Sequence, residues 1–317
     1  MFEKNDDYND EISLIDLIKL LYGRKWFIIK FTLIISLISI AYSLYVPEIY
    51  KSEALLAPKS NTQGSLSQMT GSIGGIAALA GLDIGSLGAG SENRSKIAFE
   101  TLQSRRFFSE YLYENMLVEL MAAKDWDRVN NEIIIDQKIY DSKKNVWAQN
   151  ENGSSGKPSH QKAFKKFQDI FDVYENKLTG FITINIEHYS PHIAKTWVDL
   201  IVHSINESMR QIDINNSEKS LQFLVTKLSA SNQVTMNNVF SNLIEEQTKI
   251  RMLADIADDY VFVTIDPAIA NEVREKPKRT IMVMSSMLLS GFAASLYILI
   301  SQYYFRKRDN FKKKNLD

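Results

Sequence analysis

Residues 280–305 read TIMVMSSMLLSGFAASLYILISQYYF, an uncharged run closed by Arg279 on one side and by Arg306, Lys307 and Arg308 on the other. As a helix rising about 1.5 Å per residue, such a run is long enough to cross the ~30 Å hydrocarbon layer of a bilayer. Lipid offers a backbone no hydrogen-bond partner, so a single apolar run can cross it only as a helix. The competing reading is a buried core helix, but core helices rarely exceed about 20 residues without a charge. Tyr303, Tyr304 and Phe305 before the basic triplet give an interfacial aromatic girdle and a stop of the cytoplasmic type. Residues 281–305 are therefore expected to be a transmembrane helix, and residues 306–317 a cytoplasmic basic tail able to meet anionic headgroups.

A second apolar run lies near the other end of the chain. Residues 26–46 carry a single charge, Lys30, whose long stem can return its amine to the interface. Trp26 and Tyr45 bracket the run, and Pro47 with Glu48 ends it. Ala41-Tyr42-Ser43 loosely imitates a cleavage site, yet the leader of about 25 residues and the long apolar run favour an uncleaved anchor over a signal peptide. The acidic segment before it (1–25) carries Ile12, Ile15, Ile18 and Leu21 at spacing three, one face of a short cytoplasmic helix.

The two spans leave residues 47–280 as one large loop. Lys and Arg within about 20 residues of the span ends number ten on the terminal side and six on the loop side, which favours both termini in the cytoplasm. In a cell with two membranes the loop is then periplasmic, with 26 basic and 30 acidic residues. Absence of Cys excludes thiol nucleophiles, disulfides and thiolate metal sites. A net charge of −1 gives no reason to expect nucleic acid, and four His leave few near-neutral acid–base groups.

Within the loop, residues 49–56 (IYKSEALL) are expected to be a first strand, ended by Ala57-Pro58. Residues 64–90 hold eight of the thirteen glycines, without the Gly-Lys-Ser/Thr of a phosphate cradle, and read as a mobile loop or packing surface. Residues 95–121 read as one or two helices with Ala98, Leu102, Phe107, Tyr111, Met116 and Leu120 as core. Residues 145–160 form a loop, 161–174 a helix through Phe164, Phe167, Ile170 and Phe171, and 181–187 (FITINIE) an alternating strand.

Residues 192–266 contain neither Gly nor Pro. Ile193, Trp197, Ile201, Ile205 and Met209 form a stripe at spacing four; Leu221, Leu224, Val225 and Leu228 form a second; Leu243, Ile250, Leu253 and Ala257 a third. A continuous helix of about 60 residues would measure ~90 Å, too long to bury in a globule of this size. The segment is an arm, at about 192–260, and its thin apolar stripe needs either its own return limb or a neighbouring copy. Residues 229–238 (SASNQVTMNN) are the best turn. Residues 261–265 (VFVTI) are a closing strand able to pair with the strand after the first span.

Several constellations have plain readings. His188 and His192 are separated by Pro191 and supply too few ligands for zinc. Asp258-Asp259 and Glu245-Glu246 point about 100° apart on a helix and read as solvated faces. No nucleophile elbow, Ser-His-Asp order or Walker motif is present, and no cofactor is implied. In the second span Ser286, Ser290 and Ala294 form a row of small residues with Gly291 and Ser295 beside it, and Ser39 and Ser43 do likewise in the first. Such rows let helices approach closely in lipid.

Taken together, these pieces resemble a family, the polysaccharide co-polymerases or Wzz-type chain length determinants of Gram-negative inner membranes. The resemblance is carried by residues 12–17 (ISLIDL), Tyr50-Lys51-Ser52-Glu53-Ala54, the Gly-rich insert, and Tyr140-Asp141 with Trp147. Its most specific part is Gly180 to His188, then Ser190, Pro191, Ala194, Trp197, Val198 and Asn206. The approach to the second span, Asp266-Pro267-Ala268 and Lys276-Pro277-Lys278-Arg279, is also similar, although Asn271 stands where many members carry proline.

The resemblance implies an α+β membrane protein: two transmembrane helices flanking a periplasmic α/β base with a long helical arm, assembled as a ring-like homo-oligomer and not an enzyme. The implied role is setting the length of lipopolysaccharide O-antigen, with the inner-membrane O-antigen polymerase as partner and contact with the lipid-linked growing chain. Some members are fused to a tyrosine kinase, for which the twelve residues after Phe305 leave no room. The alternatives are an export adaptor scaffolding a trans-envelope complex, or a two-span receptor, which would need a cytoplasmic output module.

Overall fold

In the computed structural model, residues 20–59, 91–149, 156–230, 233–256 and 259–314 are described, with side chains left out at 91–93 and 303–314. The N-terminal entry motif at 12–17, the Gly-rich insert at 64–90, Ala257 and Asp258 lie outside these residues. The chain divides into two compact units, one formed by residues 1–48 and 275–317, the other by residues 49–274.

The first unit is a pair of helices. Helix α1 (Lys25–Tyr45) packs against the apolar part of the last helix, α8 (Arg279–Lys314). Residues Lys25–Tyr45 and Arg279–Gln302 are long and apolar enough to cross a membrane. A soluble core helix would bury its leucines, whereas Leu44 is 65% exposed and Leu288 74%. The faces these helices turn toward each other hold small side chains, Ser43 on α1 and Ser290 and Ala294 on α8, all buried.

The second unit is built on a four-stranded antiparallel sheet made, in order across it, of Phe171–Glu175 (β6), Ile182–His188 (β7), Tyr50–Pro58 (β1) and Phe262–Asp266 (β8). Strand β1 (Tyr50–Pro58) buries Tyr50, Ser52, Ala54 and Leu56 at period two, the mark of one face packed on a core. It runs two residues past the expected Leu56. Pro58 is tolerated there because its partner Phe262 forms a non-hydrogen-bonded pair, as the bond from Lys59 N to Val261 O shows, and the pairing with β7 has already ended at Leu56.

Helix α2 (Ser91–Leu102) is followed by the short α3 (Arg105–Phe107), a π turn over Phe108–Leu112, and α4 (Tyr113–Ala122). Ala98, Leu102, Phe107, Met116 and Leu120 are buried there, while Tyr111 is only half-buried, stacked on Phe107. Two small hairpins follow, β2 (Ala123–Asp127) with β3 (Glu132–Ile135), and β4 (Tyr140–Asp141) with β5 (Val146–Trp147).

Helix α5 (His160–Gln168) is capped by Ser159, whose hydroxyl accepts the Lys162 N–H. It ends six residues before the expected position 174. Residues Phe171–Glu175 instead form β6, because after the turn at Asp169 they pair with β7, where their backbone groups find partners. A helical spacing of aromatics cannot reveal such a tertiary pairing. Strand β7 (Ile182–His188) lies between β6 and β1, and its Ile182, Ile184 and Ile186 are fully buried.

The arm consists of α6 (Pro191–Ala230) and α7 (Val234–Ile256), packed on each other. At 40 residues α6 is about 60 Å long. Its first half lays Ala194, Trp197, Ile201, Ile205 and Met209 on the sheet; its second half buries Ser217 and Leu224 in a seam with Gln247 and Ala254. Arg251 and Glu218 pair across the two helices at 3.2 Å. The partner left open by the sequence is therefore the chain's own return limb. Strand β8 (Phe262–Asp266) then closes the sheet against β1.

Candidate functional site

The residues singled out from the sequence fall into two groups. One lies in the helix pair and its approach. Gly291 faces α1 so closely that an added Cβ would meet Thr32 Cγ2 at 3.5 Å. Ser290 and Ala294, with Ile298 one turn on, are buried along that contact, while Ser286 is half-buried and bonds its own helix at Val283 O. The hydroxyl of Ser295 likewise returns to Gly291 O. At the loop end of the pair Arg279 donates to Glu48 at 2.9 Å, a charge-assisted bond joining the exit of α1 to the entry of α8. Pro277, half-buried, accepts the Arg279 N–H at its carbonyl.

On the sheet side the approach is held by two further bonds. Ser52 Oγ donates to Ile269 O at 2.7 Å, and Asn271 Nδ2 donates to Lys51 O at 2.6 Å. Asn271 thus fixes by a side-chain bond a stretch that a proline would stiffen through its ring. Pro267 itself is exposed and stands just past the last residue of β8.

The second group forms the corner between β7 and α6. Gly180 takes φ +70° in the β6–β7 turn, a left-handed conformation that glycine adopts without Cβ strain, and donates to Asn176 O. The buried Ser190 is the cap of α6: its hydroxyl accepts the Ile193 N–H at 3.4 Å, and Pro191, at the first helical position, lacks only an N–H that would have no intrahelical partner. Ser190 N–H in turn donates to Nδ1 of His188 at 3.1 Å. The His188 ring stands edge-on to Trp197 at 4.8 Å, and Ala194 beneath is fully buried. Burial lowers the His188 pKa to about 4, the backbone of Glu119 and Ser190 opposing this in part. With Nδ1 accepting, the neutral ring carries its proton on Nε2.

His192 faces Trp126 instead, at 6.2 Å between rings, so the two histidines form no pair. Among the described residues no three His, Asp or Glu are arranged to hold a metal ion. A cavity of about 180 Å³ between α6 and the β8 side of the sheet is lined by Asp199, His203, Asn206, Asp259 and Thr264. Asp199 is already engaged by Lys195 at 2.6 Å.

Asn206, one of the residues that carry the resemblance, ties the arm to residues 260–262. Its Oδ1 accepts the N–H groups of Tyr260, Val261 and Phe262 at 3.1, 2.8 and 2.9 Å, and its Nδ2 donates to Phe262 O at 3.1 Å. Nearby, Tyr260 donates its hydroxyl to Asp213 at 2.5 Å, and Arg94 pairs with the same carboxylate at 3.4 Å. Burial and the Asp213 carboxylate raise the Tyr260 pKa, so its hydroxyl stays a donor. Arg94, Asp213 and Tyr260 are too far apart in sequence for any local pattern to connect them.

These groups hold strands and helices in place. A comparison with solved structures pairs the chain with one described as a "full-length bacterial polysaccharide co-polymerase", at 12% identity, covering 93% of this chain and 99% of that one, with a TM-score of 0.43. No curated protein sequence matches significantly. Residues 10–115 match the family model described as Wzz, chain length determinant protein, a match that takes in α1 and β1. Over that third of its length the chain is similar to the Wzz-type chain length determinants.

Proposed function

We propose that this protein sets the modal length of a surface polysaccharide, lipopolysaccharide O-antigen, by acting as a homo-oligomer on the inner-membrane polymerase that extends lipid-linked repeats. The observation that carries the reading is the chain length determinant match over residues 10–115, which includes the first apolar helix and the strand leaving it. In this reading α1 and the apolar part of α8 anchor the chain in the inner membrane, with both termini in the cytoplasm and residues 47–280 in the periplasm. The protein positions other components and performs no chemistry of its own.

Copies associate through the arm. Phe223, Val225, Met252, Leu253 and Ile256 remain 44–76% exposed after α6 and α7 have packed on each other, an apolar surface that supports contact with a second copy. Within the membrane, the outward faces of the helix pair are available to the polymerase.

Deletion of the gene, followed by electrophoresis of the surface polysaccharide, tests the reading. The expected result is a broadened or shifted ladder, restored by the intact gene. An unchanged ladder overturns the proposal, and loss of all surface polysaccharide with normal synthesis points to an export adaptor instead.

A further inference from the structure

The end of the sheet at which β1 begins carries an apolar rim that the packing of the second unit leaves uncovered. Val129, at the tip of the β2–β3 hairpin, is 92% exposed, Val273 is 80% exposed and Ile269 58%. The two segments that carry them are tied to one end of β1 by specific contacts. Trp126 stands edge-on to Tyr50 with ring centroids 5.6 Å apart, and Arg128, next to Val129, donates to the Tyr50 hydroxyl. Ile269 and Val273 flank Asn271, and that stretch is bonded to β1 through Ser52 Oγ to Ile269 O and Asn271 Nδ2 to Lys51 O.

The hairpin tip is built to present its valine. The Asp127 carboxylate turns into the loop, accepting Val129 N–H at 2.8 Å, Asn130 N–H at 3.3 Å and Asn130 Nδ2 at 2.8 Å. Those bonds hold its pKa below the usual carboxylate range and direct its charge into the turn. Single exposed apolar side chains are ordinary on protein surfaces. Here three lie at one strand end beside the half-buried Trp126, a side-chain type enriched at membrane–water interfaces.

Chain length then decides the occupant. Tyr45 ends α1 and Tyr50 begins β1, so at most about 18 Å of fully extended chain separates them. Val273 precedes the start of α8 at Arg279 by at most about 21 Å. Leu178, in the β6–β7 turn, is as exposed at 96% but lies at the other end of β1, beyond the Leu56–Ile182 pair and so about 20 Å further along the strand.

We propose that Val129, Val273 and Ile269 form a rim that rests in the headgroup region of the leaflet from which β1 emerges, a docking surface for lipid. This rests on the reading that α1 and α8 span the membrane.

The absence of Cys allows a direct test with single-cysteine variants of the full chain. Val129→Cys, Val273→Cys, Leu178→Cys and, on α1, Leu37→Cys replace side chains at least 57% exposed, so none removes core packing. Each carries an environment-sensitive fluorophore and is reconstituted in phosphatidylethanolamine–phosphatidylglycerol vesicles containing lipid with a nitroxide either on the headgroup or deep in the acyl chain. Labels at 129 and 273 are expected to be quenched by the headgroup nitroxide at least about twofold more than the label at 178, as for side chains seated at the headgroup–acyl boundary. The label at 37 is expected to respond to the acyl-chain nitroxide. Equal quenching at 129, 273 and 178, with 37 quenched, overturns the rim while the spanning reading stands. Failure to quench at 37 removes both.

Discussion

Asn206 Oδ1 accepts the backbone N–H of Val261 at 2.8 Å across 55 residues of chain. Pro58 and Phe262 form a non-hydrogen-bonded pair, so the polar groups of Phe262 point away from β1 toward the open edge of the sheet. The Asn206 amide meets both, accepting from Phe262 N and donating to Phe262 O, and so stands in for the peptide of a missing neighbouring strand. An open edge that could recruit another strand is closed in this way by one side chain of the arm.

Replacing Asn206 by Leu is expected to leave these N–H groups and one carbonyl buried without partners, lowering stability by about 3 kcal/mol or more. Asn206→Asp keeps the acceptor but sets a carboxylate against the Phe262 carbonyl, so an intermediate loss is expected. Apparent unfolding of the full chain in detergent, with amide exchange followed at residues 260–262, checks both. Unchanged exchange in Asn206→Leu would show that β8 is held without the amide.

His188 makes stability depend on pH. Its folded pKa of about 4 lies below the unfolded value of about 6.5, so in that window the unfolded chain binds more protons. Stability is expected to be complete above about pH 6.5 and to fall toward pH 4, by at most about 3 kcal/mol in total. His188→Asn retains an acceptor for the Ser190 N–H and removes the titration. Its melting temperature, followed from pH 4.5 to 7.5, is expected to fall less at the acid end than that of the parent.

The helix pair makes a geometric prediction. Because a Cβ on Gly291 would lie 3.5 Å from Thr32 Cγ2, the double variant Thr32→Cys, Gly291→Cys is expected to oxidise to an intramolecular disulfide in native membranes. After proteolysis of the intervening segment, the two fragments should stay joined on a non-reducing gel. Adding Ala294→Leu, which overpacks a position 2% exposed, is expected to reduce the joined fraction severalfold. Fragments that separate fully in the double variant would contradict the α1–α8 packing.

Much of the fold was legible in the sequence because it rests on short-range rules. Uncharged runs reported the two apolar helices, period-two alternation found β7, and the lack of Gly and Pro between 192 and 266 marked the arm. The strand pairing of 261–265 with the segment after the first span followed from their β-rich composition. Residues 171–174 were misread as helix because Phe164, Phe167 and Phe171 keep a helical spacing across the turn at Asp169.

Of the candidate site, the sequence supplied the residue types and the structure supplied their roles. A serine before a proline marks a helix start anywhere, but only the fold puts the Ser190 N–H on His188 and that ring on Trp197. Nothing local could link Arg94 with Asp213 and Tyr260, or Asn206 with Val261, since these bonds join segments that meet only after the sheet has closed.

The sequence by itself determined where the chain is apolar for long enough to need lipid, and where a helix could run without a break, since both depend on residues that are neighbours along the chain. Tertiary structure decided that the arm doubles back on itself, and which buried polar groups lock it to the sheet. Those outcomes turn on which distant backbone groups lack partners, and a buried group without one is costly enough to select a single arrangement.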